Sequence, residues 1–363
     1  MPYKSVMMPI TIRNFTFPNR LVMAPMHVNL ADAHGRVTDA LIEFYKPVAE
    51  NGMGTIIVGA TSPAPGGGFG PKGLNAFDDE HVHGFSRLFR MIADRGAVPG
   101  VQISHVGRQN IVPGVTMVAP SAIPAPFFEG KVRELTHDEV LEMEDRFAIS
   151  ASMLWSAGAR LIEIHCAHGF LLNQFISPAS NRRKDEYGGD LGNRLRIVLN
   201  ILRKIRERVD QRLIISCRIS SEELVEDGTT LEQSCEIAST LLWNGADIIH
   251  VSGGVGYASG LMLKAISDGI WLKNAGIIKK HVRGPVIAVG CVNSLTRAEE
   301  ILDAGAADFV AMARALLADP ELVSKSLAGR EDEVNTCIDC NACYAIISPE
   351  FPPVCCTQKP VLS

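Results

Sequence analysis

Short apolar runs alternate with amphipathic segments along nearly the whole chain. The runs are four to six residues long and end at Gly, Pro, Asn or a polar residue, as strands buried on both faces of a parallel sheet do. The predicted strands are Leu21–Pro25, Thr55–Gly59, Gly100–Ser104, Leu161–Ile164, Leu213–Arg218, Asp247–Val251, Val286–Gly290 and Phe309–Met312. The segments that follow them have helical periodicity and predict the helices Asp39–Glu50, His83–Arg95, His137–Ala157, Leu191–Val209, Leu231–Asn244, Trp271–His281, Leu295–Ala304 and Pro320–Ala328.

Eight strands alternating with eight helices is the count of an α/β fold of the (β/α)8 TIM-barrel type. A doubly wound sheet fits the alternation almost as well, but no linker or change of composition interrupts the repeats. We therefore predict one closed barrel over residues 1–330, followed by a separate cysteine-rich segment over residues 331–363. The long connection Gly107–Thr136 is rich in Pro, Gly and Ala and is interpreted as a cap over the barrel mouth.

Composition excludes several classes of function. The 363 residues are 47% hydrophobic and carry a net charge of -5 with no basic run, so neither nucleic acid nor an anionic membrane is an expected partner. No apolar stretch approaches the roughly 18 residues of a membrane span. The N-terminus also lacks the apolar segment of a signal peptide, and a cytoplasmic location is expected.

Five of the nine cysteines lie between residues 337 and 356. Cys337, Cys340 and Cys343 are spaced C-x2-C-x2-C, and Cys355 and Cys356 follow twelve and thirteen positions later. A disulfide scaffold spreads its pairs through a small secreted chain, so this clustering indicates a metal centre instead. Three close thiolates and a remote fourth suit a 4Fe–4S cluster, and the same thiolates are also able to bind structural zinc.

The ends of the predicted strands carry the candidate chemistry, because the C-terminal face of a barrel holds the active site. His165 and His168 follow the fourth strand and are able to face one ligand together, as metal ligands or as neutral hydrogen-bond donors. Gly290 ends the seventh strand, and the eighth runs directly into a helix, which is the usual position of a phosphate site in this fold.

The run Leu161–Arg196, LIEIHCAHGFLLNQFISPASNRRKDEYGGDLGNRLR, closely resembles the Old Yellow Enzyme family of flavin oxidoreductases, and the resemblance extends from about residue 5 to residue 360. It implies bound FMN, with His165 and His168 over the ring, holding an oxygen or other anionic atom of the substrate. It further implies that the FMN contacts are Pro25, Met26, His27 and Ala60 at the isoalloxazine, Gln102 and Arg218 at its pyrimidine edge, and Gly290, Ala313 and Arg314 at the phosphate.

The cysteines resemble the iron–sulfur branch of that family, which includes 2,4-dienoyl-CoA reductase, 2-enoate reductase and trimethylamine dehydrogenase. The resemblance implies a 4Fe–4S cluster on Cys337, Cys340, Cys343 and Cys356, with Cys355 as a spare. Trimethylamine dehydrogenase has a cysteine bonded to the flavin where this chain has His27, so FMN is expected to bind without a covalent link.

Two departures from the family pattern affect the predicted chemistry. Many ene-reductases of the family protonate the substrate with a tyrosine where this chain has Phe170, and Tyr257 is the residue that we expect to replace it. The chain also has no unit in which a strand leads directly into G-x-G-x-x-G, the fingerprint of a dinucleotide domain. Electrons are therefore expected from a separate protein, or from further FAD- and NAD-binding domains of a longer chain.

Three functions remain open from the sequence. An FMN- and 4Fe–4S-dependent ene-reductase would pass hydride to an activated C=C bond of an enoyl, enoate or enone compound. An amine dehydrogenase or N-demethylase would explain Phe170, because it protonates no carbon, although an aromatic cage for a cation is not evident in the sequence. A zinc-stapled, non-catalytic barrel is the third. The expected partners are a small-molecule substrate, an electron-transfer protein and possible further copies of the chain.

Overall fold

The computed structural model describes residues 3–112, 114–126, 128, 130–256, 259–347 and 352–359. Eight parallel strands form a closed barrel, because the first strand pairs with both the second and the last. The strands are β1 (Leu21–Met23), β2 (Thr55–Ser62), β3 (Val98–Ile103), β4 (Leu161–Cys166), β5 (Ile214–Ser220), β6 (Ile248–Ser252), β7 (Val286–Val289) and β8 (Phe309–Met312). The predicted (β/α)8 barrel is confirmed, and a doubly wound sheet is excluded by the β1–β8 pairing.

A helix follows each strand and covers the outside of the barrel. These helices are α1 (Asp39–Glu50), α2 (Asp79–Ala93), α3 (His137–Ala157), α4 (Leu191–Arg208), α5 (Leu231–Trp243), α6 (Ile270–His281), α7 (Leu295–Asp303) and α8 (Leu322–Leu327). Helix α3 begins with a capping box between Thr136 and Glu139 and ends at Gly158, whose φ of 115° a side chain would resist. Local sequence thus fixes both ends of this helix.

The structure differs from the prediction at two helices. Helix α2 begins four residues before the predicted His83, because the Asp78 side chain accepts a hydrogen bond from the Glu80 amide and caps it there. The predicted helix Pro320–Ala328 is the shorter α8, and a separate helix, Arg314–Ala318, precedes it. Asp319 separates the two with extended backbone, as expected for a residue before proline.

Several shorter elements were not predicted from the sequence. They are the α-helices Lys4–Met7, Leu171–Ile176 and Ser259–Ser267, the 3-10 helices Gly107–Gln109, Glu331–Glu333 and Ala342–Ile347, and the strands Ile10–Ile12, Phe15–Phe17, Leu74–Asn75, Met117–Ala119 and Val132–Glu134. The last two pair with each other inside the connection Gly107–Thr136, so this connection has structure of its own. No helix within the described ranges is long and apolar enough to cross a membrane.

One end of the barrel interior is apolar. Strand residues that alternate with outward-facing ones fill it, among them Val98, Leu161, Ile214 and Ile248. The antiparallel pair Ile10–Ile12 and Phe15–Phe17 packs on the same cluster, and the rings of Phe17 and Phe309 meet edge to face at 5.1 Å. The N-terminal end of the barrel is therefore filled, and the opposite end remains for polar side chains.

The cysteine-rich segment packs back onto the C-terminal end of the barrel. The Val354 amide donates to the Val28 carbonyl at 3.0 Å, and the Asn29 side chain donates to the Pro352 carbonyl at 2.9 Å. At its other end, the Asn335 amide donates to the Asp319 carboxylate at 2.9 Å. The segment therefore contacts the loops after β1 and β8, which also carry predicted FMN contacts.

Candidate active site

Polar side chains occupy the barrel interior above its apolar floor. Every second residue of a strand faces the same side, so alternate residues of β3, β4 and β5 point into the barrel. These inward residues change from apolar to polar toward the C-terminal end of each strand. On β4 the sequence is Leu161, Glu163, His165, and on β5 it is Ile214, Ser216, Arg218. Strand register places Arg218 beside His165, so these two predicted residues meet at the barrel mouth.

The two predicted histidines lie together at the end of β4. The imidazole centroids of His165 and His168 are 5.1 Å apart, with the rings nearly perpendicular. The Ala167 amide donates to Nδ1 of His165 at 3.2 Å, which leaves Nε2 as the nitrogen that carries the proton in a neutral ring. Burial holds the pKa of both histidines well below the usual value, so both rings are neutral near pH 7.

His168 is held in place by its backbone as well as its ring. Its φ is 62°, in the left-handed region that non-glycine residues rarely adopt. The backbone amide of His168 donates to the Ser220 hydroxyl at 2.9 Å, and its Nε2 lies 2.7 Å from the Ser252 hydroxyl. These contacts tie the turn after β4 to β5 and β6, which fixes the spacing of the two imidazoles.

Arg218 brings a positive charge to the barrel mouth. The residue is only 8% exposed, and its Nη2 donates to the Ser252 hydroxyl at 3.4 Å. Within the described part of the chain, the buried Nε of Arg218 has no hydrogen-bond partner. An unpartnered buried donor is costly, and a ligand with acceptor atoms, such as the N1–C2=O2 edge of a flavin, would satisfy it. The residues at this position therefore fit the expected cofactor.

The loop after β1 forms one wall of the mouth. Pro25, Met26 and His27 are half-buried there, and Ala60 on β2 lies across from them. Burial lowers the pKa of His27 to about 4, although the bond from its Nε2 to Asn29 acts in the opposite direction. His27 is thus a neutral ring at physiological pH.

Close approach of β2 to this loop requires a glycine. A Cβ added at Gly59 would lie 1.7 Å from the Met26 carbonyl oxygen, closer than any real contact. The Gly59 amide in turn donates to the Tyr45 hydroxyl at 3.0 Å. The position of Met26 and His27 therefore depends on the missing side chain at Gly59.

Gly290, Ala313 and Arg314 lie at the ends of β7 and β8, which pair side by side. Gly290 has a φ of 116°, and Ala313 directly precedes the helix Arg314–Ala318. The Arg314 side chain, however, contacts the cysteine segment, with Nη1 at 2.7 Å from the Asp339 carboxylate and 2.9 Å from the Asn341 amide oxygen. The predicted phosphate residue is therefore also a contact of the cysteine segment.

An aromatic group above the histidines was missed in the sequence. The Phe69 ring lies 5.1 Å from the His27 ring and 5.8 Å from the Phe170 ring, and Phe170 is 4.9 Å from His165. Phe69 sits in the glycine-rich stretch APGGGFGPKG, where no periodicity marks it as functional. These three rings, His27, Phe69 and Phe170, make an aromatic wall beside the imidazoles. Tyr257, the predicted acid, lies outside the described residues.

Four of the five clustered cysteines line one cavity. The cavity is bounded by Arg314, Leu317, Cys337, Ile338, Cys340, Asn341, Cys343, Cys356, Thr357 and Gln358. The Cys340 thiol lies 3.3 Å from the Thr357 hydroxyl, and this hydrogen bond lowers the pKa of the thiol. Cys355 does not line this cavity, and both it and Cys340 are exposed. The cavity thus brings together the same four cysteines that the sequence suggested as ligands.

Across the described ranges, no three His, Cys, Asp or Glu side chains are grouped closely enough to hold one metal ion. Neither the 4Fe–4S cluster nor the zinc site expected from the sequence is shown by this arrangement, and both stay predictions.

Comparison with known proteins identifies relatives over nearly the whole barrel. The family model described as NADH:flavin oxidoreductase / NADH oxidase family matches residues 5–333. An NADH oxidase of Thermoanaerobacter brockii is 40% identical over 336 residues, which are 91% of this chain and 52% of that protein. The chain therefore spans about half the length of that relative. An NADPH dehydrogenase of Geobacillus thermodenitrificans is 35% identical, over 86% of this chain and 90% of that protein.

A solved structure resembles the chain beyond the barrel. The complex of 2-naphthoyl-CoA reductase with 2-naphthoyl-CoA superposes with a TM-score of 0.92 at 27% sequence identity. The superposition covers 99% of this chain and 57% of that protein. It therefore includes the cysteine segment as well as the barrel.

Proposed function

The chain belongs to the NADH:flavin oxidoreductase / NADH oxidase family, and on this basis we propose that it is an FMN- and 4Fe–4S-dependent ene-reductase. The substrate would be an alkene conjugated to a carbonyl or carboxylate. One observation carries the proposal: His165 is neutral and presents its Nε2–H at the barrel mouth, beside His168 and the buried guanidinium of Arg218. Such a donor is suited to polarising the activating oxygen of the substrate.

FMN, when bound, supplies hydride from N5. The chain's own residues have three tasks around it. Arg218 would place its unpartnered Nε and its charge at the N1–C2 edge, where negative charge is best stabilised. His165 would donate to the substrate oxygen. Phe69 and Phe170 would pack on an apolar or aromatic substrate and exclude water.

The cysteine cavity is the proposed site of the 4Fe–4S cluster, with Cys337, Cys340, Cys343 and Cys356 as ligands. Its support is that these four cysteines line one cavity and have the spacing C-x2-C-x2-C with a remote fourth, which suits a 4Fe–4S cluster. The cluster would pass electrons between the flavin and a donor outside residues 1–363, either a separate protein or further domains.

The proposal is tested by anaerobic single-turnover kinetics. The purified protein is photoreduced, and the reduced flavin is mixed with 2-cyclohexenone, cinnamate or an enoyl-CoA while flavin absorbance is followed. Reoxidation by at least one of these with formation of the saturated product is expected, and His165→Ala should slow it about 100-fold or more. A reduced flavin that reacts with none of them, but whose oxidised form is reduced by amines, would reject ene-reduction.

Tyr257 is proposed as the proton donor that replaces the hydroxyl missing at Phe170. Alkene reduction needs an acid, and general acids contribute about 10²- to 10⁴-fold. Tyr257→Phe should therefore slow single-turnover reoxidation by at least about 100-fold, and Tyr187→Phe, whose hydroxyl donates to Glu144 on α3, is the matched control. A Tyr257→Phe rate within a factor of about three of the wild type would assign protonation to solvent.

Amine oxidation is the second candidate, favoured by the aromatic wall. Three rings face the same region: His27, Phe69 and Phe170. Aromatic rings suit the binding of a cationic amine. None of the three carries an acidic hydroxyl, and the dehydrogenation of an amine needs none because it protonates no carbon. Because amines reduce the oxidised flavin and alkenes reoxidise the reduced flavin, the same spectroscopic assay separates the two candidates.

A further inference from the structure

A fully buried carboxylate lies directly beneath the proposed flavin site. Glu163, on β4, is 0% exposed, and so are its neighbours Ser216 on β5 and His250 on β6. Its Oε1 accepts from Nε2 of Gln102 at 2.8 Å, and its Oε2 accepts from the Ser216 hydroxyl at 3.0 Å and from Nδ1 of His250 at 2.8 Å. The proposed chemistry makes no use of this group.

The network around Glu163 is arranged for an ionised carboxylate. Burial opposes ionisation, but His250, Arg218 and the hydrogen bond from Gln102 together hold the pKa of Glu163 below its usual value. Burial also lowers the pKa of His250, so its neutral ring donates through Nδ1 to the carboxylate. Glu163 therefore carries the negative charge of this layer and Arg218 the positive one.

An ionised carboxylate is costly to bury and is rarely kept for stability alone. A pair or network of this kind often contributes no more than well-packed apolar residues of similar volume. The neighbouring layer toward the other end of the barrel shows that apolar packing is available here, since Leu161 and Ile214 occupy the equivalent positions. The carboxylate needs another reason to be present.

The contact with Gln102 supplies one. A side-chain amide has one donor end and one acceptor end, and its orientation is set by its partners. Because Glu163 accepts only, it binds the Nε2 end of Gln102 and directs the Oε1 end elsewhere. An amide oxygen at the barrel mouth would accept from the N3–H of a flavin.

We propose that Glu163 is a positioning residue for the flavin: it orients the Gln102 amide toward the pyrimidine edge and offsets the charge of Arg218. The proposal rests on the proposed FMN site. Removal of the negative charge would leave Arg218 unopposed beside a reduced flavin, whose N1 is anionic. Glu163 therefore favours the oxidised flavin relative to a barrel in which this position is neutral.

The test is the flavin midpoint potential of Glu163→Gln, measured anaerobically against reference dyes at pH 7. The redox equilibrium should shift at least tenfold toward reduced flavin, which is about 30 mV for a two-electron couple. Ser216→Ala is the matched control, because it removes another hydrogen bond to the same carboxylate but keeps the charge. Its redox equilibrium should stay within about threefold of the wild type.

The affinity for FMN, measured by fluorescence quenching, should weaken at least tenfold in Glu163→Gln, because the amide at Gln102 is no longer oriented.

Glu163→Asp covers the case in which Glu163→Gln does not fold. It keeps the charge but withdraws the carboxylate from Gln102. FMN affinity should therefore fall, while the equilibrium between oxidised and reduced flavin should shift less than threefold. Variants that lose stability but keep both the potential and the affinity would overturn the proposal and leave Glu163 a scaffold residue. A wild-type protein that binds no FMN would instead reject the proposed function, so the two failures are distinguishable.

Discussion

Substituting alanine for Gly59 should displace the wall of the flavin site by a distance that the structure fixes. The new Cβ would lie 1.7 Å from the Met26 carbonyl oxygen and 3.3 Å from the His27 amide nitrogen. Cβ atoms essentially never approach within 3.0 Å of another heavy atom, so β2 and the loop must separate by roughly 1.3 Å. Both sides of this contact are backbone, which cannot rotate away as a side chain would.

Gly59→Ala should lower both the unfolding free energy and the rate of flavin reoxidation, because the clash lies at the contact that positions Met26 and His27. Overpacking costs about 1–3 kcal/mol of unfolding free energy, and a backbone clash should lie near the upper value. A shift of about 1 Å in positioning groups can cost about 100-fold in rate, so single-turnover reoxidation of the flavin should slow by about that factor. Denaturant unfolding and stopped-flow absorbance measure the two effects separately.

Gly276→Ala is the control for this prediction. Gly276 lies within α6, and an added Cβ would meet the Ala306 side chain at an ordinary 3.6 Å. Alanine in a helix interior should stabilise the chain by about 0.5–1 kcal/mol and leave the flavin rate unchanged. If Gly59→Ala unfolds at the wild-type denaturant concentration and reacts at the wild-type rate, the close approach of β2 to the Met26 loop is not present in the protein.

Three further predictions concern the cofactors and pH. Cys356→Ser should abolish the iron–sulfur absorbance, and Cys355→Ser should leave four irons per chain by metal analysis; the reverse result would reassign the fourth ligand. Acid precipitation should release all the flavin into the supernatant, and flavin in the pellet would indicate a covalent bond. Burial lowers the pKa of His27 and His105 to about 4 each, so the unfolded chain binds protons at these sites below about pH 6.5 that the folded chain does not. The unfolding free energy should therefore fall between about pH 6.5 and 4, by up to about 1.4 kcal/mol per pH unit for each histidine, and His27→Asn should reduce the slope.

The barrel was predictable because its signal repeats. Eight apolar runs separated by amphipathic helices leave few alternatives, and the ends of helices such as α1 and α3 follow from local capping residues. The closure between β1 and β8 was inferred only from the count, since no local feature of Leu21–Met23 shows that it pairs with Phe309–Met312. Strand pairing between distant segments is set by packing of the whole chain.

The site was predictable where residue type and strand position coincide. His165, Gln102 and Arg218 stand at strand ends, so the barrel hypothesis already placed them near one another. Phe69 was not found, because it lies in a glycine-rich loop whose path depends on tertiary contacts. Glu163 was also missed, since a single charge within an apolar strand reads as an interruption until its neighbours on β3, β5 and β6 are known.

The pairing of β1 with β8 also sets the order in which the chain is able to complete its fold during synthesis. Leu21 pairs with Val310, about 290 positions along the chain, and at roughly 5–20 residues per second the ribosome needs roughly 15 to 60 s to produce the second partner. Throughout that interval one edge of β1 has no strand to pair with. A chain released before residue 309 keeps this edge and that of β7 open, so premature termination yields a sheet that can pair with other nascent chains rather than a smaller barrel.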